Sequence, residues 1–181
     1  MVERVGFQKI NMVYKRIAQN IILCYTVNQK ISYQKGSIQM EKLSKEAEAI
    51  LTERFGLDRV IALATTADGM PFVRNVNAFY DNGAFYVLTY GLSNKMQQIK
   101  ANPVVAIAGD WFTAQGKGID LGYFGKDENK EIASKMRMIF SGWIDNGHNN
   151  FDDENTCILR IELTKGRLLS HGKCYDIDFT K

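Results

Sequence analysis

Histidine, cysteine and proline are all scarce in this chain, and the first two scarcities exclude whole classes of chemistry. The two histidines, His148 and His171, come with no ligand spacing that would hold zinc. The three cysteines, Cys24, Cys157 and Cys174, are odd in number and scattered, so neither a disulfide framework nor a CxxC metal site follows. Free thiols in a reducing cytoplasm are the expectation. No apolar run approaches the ~20 residues that a membrane span needs. The most apolar early stretch, Ile17 to Val27, is broken by Gln19 and Asn20 and has no small-residue cleavage pattern after it, so no signal peptide is read. No Ser/His/Asp or Cys/His arrangement stands out. Gly116-x-Gly118 lacks the rest of a phosphate-binding glycine loop.

What remains is an ordinary globular composition, 45% hydrophobic and 24% charged over 181 residues, enough for one domain with a real core. The net charge of +3 is unevenly placed. Residues 1–40 hold six basic side chains against one acidic, whereas the remainder holds 17 against 19. The basicity belongs to the leading segment, which argues against a nucleic-acid surface on the domain. Residues 1–39 show no clean period, and Met40 begins a well-patterned segment. Lys35-Gly36-Ser37 fits a purine-rich ribosome-binding sequence ahead of a natural start at Met40. The expected division is therefore a basic leader, 1–39, foreign to the native protein or poorly ordered, and a domain, 40–181. A basic arm covering that domain is the alternative.

From Met40 the pattern reads cleanly. Leu43, Ala47, Ile50, Leu51 and Phe55 fall at helical spacing, and Gly56 ends the helix. Strands are expected at Val60–Thr66, Pro71–Tyr80 and Ala84–Thr89, joined by turns at Ala67-Asp68-Gly69 and Asp81-Asn82-Gly83. Ser93 is a candidate N-cap for a short helix that ends at Ala101-Asn102-Pro103. Strands follow at Val104–Ala108 and at Phe112–Leu121, bulged at Gly116 and Gly118. A helix from Asp127 to Trp143 carries Ile132, Met136, Ile139, Phe140 and Trp143 on one stripe, with Glu131 and Lys135 paired on the other side. The last strands are expected at Thr156–Leu163, Arg167–Ser170 and Tyr175–Phe179. Tight turns between consecutive strands disfavour a parallel sheet and favour a barrel or curled antiparallel sheet with helical additions.

Three features converge on an anion. Arg74 sits inside a strand otherwise rich in apolar and amide groups. Ser93-Asn94-Lys95 opens a helix directly after a strand, where unpaired N–H groups and the dipole favour a phosphate. Hairpin pairing can bring the two close. Asn75, Asn77, Gln98 and Gln115 could hydrogen-bond a heterocycle, and Trp111 and Phe112 could pack on one, with core or dimer packing as the even alternative for the aromatics. With no catalytic side-chain set in view, any hard chemistry would belong to a cofactor.

The stretch from Val60 to Gly118 resembles the pyridoxamine 5'-phosphate oxidase-like superfamily, the FMN-binding split barrels. The resemblance is carried by Leu63-Ala64-Thr65-Thr66 and Asp68-Gly69-x-Pro71. It continues through Arg74-Asn75-Val76-Asn77, Phe85-Tyr86-Val87-Leu88-Thr89, Ser93-Asn94-Lys95 and Gln98-Ile99-x-x-Asn102-Pro103. Gly172-Lys173-x-Tyr175-Asp176-Ile177-Asp178-Phe179 looks like the ending of small members. The resemblance implies a six-stranded antiparallel split barrel, mainly β with α additions, and a homodimer with FMN at the interface. By position, Arg74 would meet the FMN phosphate, and Ser93 and Lys95 would close on it. Asn75, Val76 and Asn77 would line the flavin. Leu88 and Thr89 would approach the ring or ribityl chain, and Trp111 would come from the second subunit. Asn94 replaces a frequent basic residue and would weaken FMN binding by about 1.5–3 kcal/mol, the scale of a hydrogen bond to a charged group.

The arginine- and tryptophan-rich C-terminal segment of true pyridoxamine phosphate oxidases is missing, so that activity is not expected. The chain looks most like the nitroimidazole-resistance and general stress proteins. The expected function is an FMN-dependent oxidoreductase that passes electrons from a nicotinamide cofactor to a small flat acceptor, nitro-aromatic or quinone, without a membrane or nucleic-acid partner. Two alternatives stay open: a non-catalytic flavin, haem or tetrapyrrole carrier or sensor, with His171 as a candidate axial ligand, and an F420-dependent reductase on the same barrel. N-terminal sequencing of the native protein is expected to begin at Met40; a start well before it would overturn the division at residue 39.

Overall fold

Inward and outward side chains alternate along the strands, and the sheet they form closes on itself. The computed structural model describes residues 39–181, so all of the expected leader but Gln39 lies outside the described residues. Strand β1 (Glu41–Lys42) precedes helix α1 (Lys45–Phe55), β2 (Arg59–Ala67), β3 (Met70–Asp81) and β4 (Ala84–Tyr90). Helix α2 (Asn94–Ala101), β5 (Val104–Gly109), β6 (Phe112–Tyr123), α3 (Lys130–Ile139), β7 (Thr156–Ser170) and β8 (Lys173–Asp178) follow. The sheet order is β1-β8-β7-β4-β3-β2-β5-β6, and β6 pairs back onto β7. Strands β2 to β7 thus form a closed, six-stranded antiparallel barrel, with β8 and β1 as an appendage.

Ile61, Leu63 and Thr65 point inward from β2, and Phe85 and Val87 from β4. Phe55, Phe85 and Phe112 meet in the barrel with ring centroids 5.5–6.3 Å apart. Offset and edge-on contacts of this kind add to the burial of their area. Ser44 caps α1 by accepting a hydrogen bond from the Ala47 N–H at 3.2 Å, and the helix buries Ala47, Leu51 and Phe55 as its spacing predicts. Gly83, at φ +78, supplies the left-handed turn between β3 and β4.

A second core lies outside the barrel wall, where Met136 and Phe140 cover Phe79 and Ile158, flanked by Tyr86 and Leu88. The helix there is shorter than its apolar stripe suggests. A 3-10 turn at Asp127–Asn129 precedes α3, and the backbone leaves helical geometry at Phe140. Trp143 still reaches inward and donates its Nε1–H to Asp58 at 2.7 Å. Lys135 pairs with Asp81 at 2.7 Å rather than with Glu131, because the carboxylate at the end of β3 faces it across the helix–sheet contact.

Two more expectations are corrected. Thr156–Leu163 and Arg167–Ser170 are one strand of 15 residues. Gly166 stays in that strand because the Phe112 ring lies over it; an added Cβ would come within 2.9 Å of the ring. The ladder between β6 and β7 is irregular at Gln115/Gly116 and again at Asp120/Tyr123, while Gly118 stays in register with Ile161. At Gly116 a Cβ would come within 2.4 Å of the Glu162 carbonyl oxygen, which is backbone and cannot step aside. Gly116→Ala is therefore expected to cost about 1–3 kcal/mol, the scale of overpacking, measured as a lowered urea midpoint with unchanged slope.

Candidate functional site

Strand β3 pairs with β2 from Met70 to Ala78, but with β4 only through Phe79–Asp81. Beyond Phe79 the two strands part and leave the edge of β3 without a neighbour in the sheet. Unpaired backbone N–H and C=O groups along such an edge are available to a ligand. Helix α2 lies at the mouth of this split, because β4 ends there at Tyr90 and β5 restarts there at Val104. Its inner face, Met96 and Ile99, is buried in the barrel core.

Arg74 projects from β3 into the split. Its Nη1 donates to the Leu63 carbonyl at 3.2 Å and to the Thr65 hydroxyl at 2.6 Å, and its Nη2 to the Gln98 side-chain carbonyl at 3.0 Å. Thr65 itself donates to the same Gln98 oxygen at 2.5 Å. Lys95, from the first turn of α2, donates to Ser93 Oγ at 3.3 Å. Ser93 stands at the N-cap position, but its hydroxyl makes no cap bond. Among the described residues, no carboxylate pairs with Arg74 or Lys95. Burial lowers the pKa of Arg74. Burial first, and then the Arg74 charge, lower that of Lys95. The site therefore concentrates positive charge that the chain does not neutralise.

Thr89 ends the inward row of β4, and its buried hydroxyl has no hydrogen-bond partner. Cys157 stands opposite it on β7. Burial, with the Asp120 carboxylate second, raises the Cys157 thiol to about 12, so it stays protonated and unreactive.

The structure brings Arg74, Ser93, Lys95 and Gln98 together and adds Thr65, which the sequence reading did not single out. The available signal was a polar residue closing the inward row Ile61-Leu63-Thr65. Asn94 is exposed beside Lys95, and Val76 packs against the barrel core. Asn75 and Asn77 are exposed on the outer face of β3, and Asn77 donates to Asp58 at 2.9 Å. Leu88 lies on the opposite side of β4 from Thr89 and packs against the second core. Phe112 is core. Trp111 is 75% exposed, at the β5–β6 turn on the far rim of the barrel from α2. It cannot reach the Arg74 site of its own chain.

Residues 43–170 match the family model described as pyridoxamine 5'-phosphate oxidase. The chain belongs to that family. It is 30% identical over 124 residues to General stress protein 26 of Bacillus subtilis, covering 64% of this chain and 82% of that protein. A FAD-binding protein of Mesorhizobium loti superposes with a TM-score of 0.53 at 20% identity, covering 70% of this chain and 94% of its own. A heme binding protein of Mycobacterium smegmatis gives 0.54 at 14%, covering 69% and 55%. The two superpositions establish a common fold. Within this family member no described helix is long and apolar enough to cross a membrane.

The lowered pKa of Lys95 has a thermodynamic sign. Its folded value lies below the ordinary 10.5, so between the two the unfolded chain binds more protons and stability rises with pH. At neutral pH the Lys95 charge opposes folding. Lys95→Met is expected to leave the urea midpoint at pH 7 unchanged or higher, with the difference shrinking toward pH 10.5.

Proposed function

We propose that the chain is an FMN-binding flavoprotein that reduces a small, flat acceptor, nitro-aromatic or quinone in type, with electrons from a nicotinamide cofactor. The observation that carries this reading is the Arg74–Lys95 pair: two half-buried cations at the mouth of a split strand pair, with only neutral partners. The residues fit the cofactor in three respects. The cations suit its phosphate, the unpaired edge of β3 suits the hydrogen-bonding rim of a planar ring, and Thr89 holds a buried hydroxyl that lacks a partner. When bound, the flavin supplies the hydride and electron chemistry. Arg74, Ser93 and Lys95 would hold its phosphate, and the unpaired edge of β3 would meet the rim of its ring. No acid–base side chain is required. A haem carrier gains nothing from His171, which sits in the exposed β7–β8 turn on the far rim.

A homodimer belongs to the same proposal. Val60, Val73 and Val104 are 60%, 67% and 59% exposed on adjoining strands β2, β3 and β5, with Ala62, Ala64, Ala106 and Ala108 between them. This sheet face, apolar except for Asn75 and Asn77, favours burial against another surface. A second copy docked there would wall the split on its open side, and Trp111 would then serve its partner's site rather than its own. The reducing cytoplasm, with Cys157 and Cys174 as free thiols, is the proposed compartment.

The visible spectrum of the purified full chain tests the reading, before and after adding FMN and then a nicotinamide reductant. A flavin spectrum that bleaches with reductant is expected, and Arg74→Ala and Lys95→Met should each loosen FMN at least ~10-fold, the scale of one lost charged hydrogen bond. The same sample should sediment as a dimer, and Val73→Lys as a monomer. A chain that neither carries nor takes up FMN would overturn the assignment.

A further inference from the structure

Arg74 spends three of its five N–H groups on the chain, and every acceptor is uncharged. Both Nη1 hydrogens go to Leu63 O and Thr65 Oγ1, and one Nη2 hydrogen goes to Gln98 Oε1. What remains is Nε–H and the second Nη2–H, adjacent and parallel donors that match two oxygens of one phosphate. Thr65 ties the arrangement together, since its hydroxyl accepts from Arg74 while donating to Gln98. Two donors converge on Gln98 Oε1, which fixes the orientation of its amide.

We infer that Thr65 and Gln98 are positioning residues that present the free side of Arg74 to a phosphate monoester, and that their neutrality makes the site select a doubly charged phosphate over an uncharged or singly charged ligand. The inference rests on the flavin reading for its biological ligand, but its physics is independent of the ring. A carboxylate in either position would hold the guanidinium equally well and cancel its charge. Neutral oxygens fix the direction of the fork and leave the charge intact. With Lys95 beside it, the site carries two formal charges, matching a phosphate monoester dianion. Phosphodiesters carry one charge fewer, and riboflavin carries none.

Dissociation constants of the full chain for FMN and for riboflavin test this, in wild type and in three variants. Gln98→Glu changes one atom and the charge. It is expected to weaken FMN at least tenfold and to leave riboflavin within twofold. Thr65→Val is expected to weaken FMN severalfold, and Thr65→Ser to restore it. Equal losses of FMN and riboflavin would mark a merely structural role and overturn the inference. So would unchanged FMN affinity in Gln98→Glu, or a wild type that binds riboflavin as tightly as FMN. If neither flavin binds, the flavin reading fails while the positioning inference is still read with inorganic phosphate. That ion should then raise the Tm of wild type and not of Gln98→Glu; an equal rise in both would overturn the inference.

Discussion

Everything at the candidate site depends on where β3 and β4 stop pairing. The two strands share a tight turn and only three ladder positions, Phe79–Asp81 against Ala84–Tyr86. Had they stayed together, Arg74 would face a continuous wall. Because they part, β4 is free to run along β7, and the chain must cross the resulting gap to re-enter the sheet as β5. Helix α2 makes that crossing. Its apolar side closes the barrel, and its polar side inherits the gap. The barrel stays closed because β7 is long enough to pair with β4, β6 and β8.

The electrostatics of the gap run against stability. Several cations in the domain have an acidic neighbour: Arg54 with Asp110, Lys135 with Asp81, Arg167 with Asp176. Arg74 and Lys95 sit deeper than typical surface charges and lack one among the described residues. Structural charge in a partly buried place is ordinarily paired, because unpaired charge costs solvation. A cost retained at one location is the usual mark of a site that works by being incomplete. Thr89 adds to that incompleteness with a hydroxyl that finds nothing to bond.

The fold was legible in the sequence because its devices are local. Asp81-Asn82-Gly83 specifies a turn whatever surrounds it, and the compact apolar run Val60–Thr66 specifies a strand. The misreadings arose where a distant contact decides. Gly166 resembles a strand break until the Phe112 ring is seen above it. Lys135 resembles a helical partner of Glu131 until Asp81 arrives from β3. At the site, Arg74, Ser93, Lys95 and Gln98 could be named from order and spacing. Thr65 could not, because its role is to bridge two residues on other elements. The far-rim place of Trp111 was also hidden, since spacing along the chain does not say which end of a barrel a turn occupies.

Helix α2 interleaves its two duties residue by residue: Lys95, Met96, Gln98 and Ile99 alternate between cleft and core. One inserted residue in this segment would turn everything after it by about 100°. Gln98 would then swing away from Arg74 while Ile99 left the barrel. Substitutions can drift along this helix one position at a time, but its length is locked. Length changes are expected to be tolerated instead where no such phase is kept, as in the polar stretch 145–155 between the second core and β7. The barrel mouth thus acts as a ruler, constraining the number of residues in α2 more strictly than their identity.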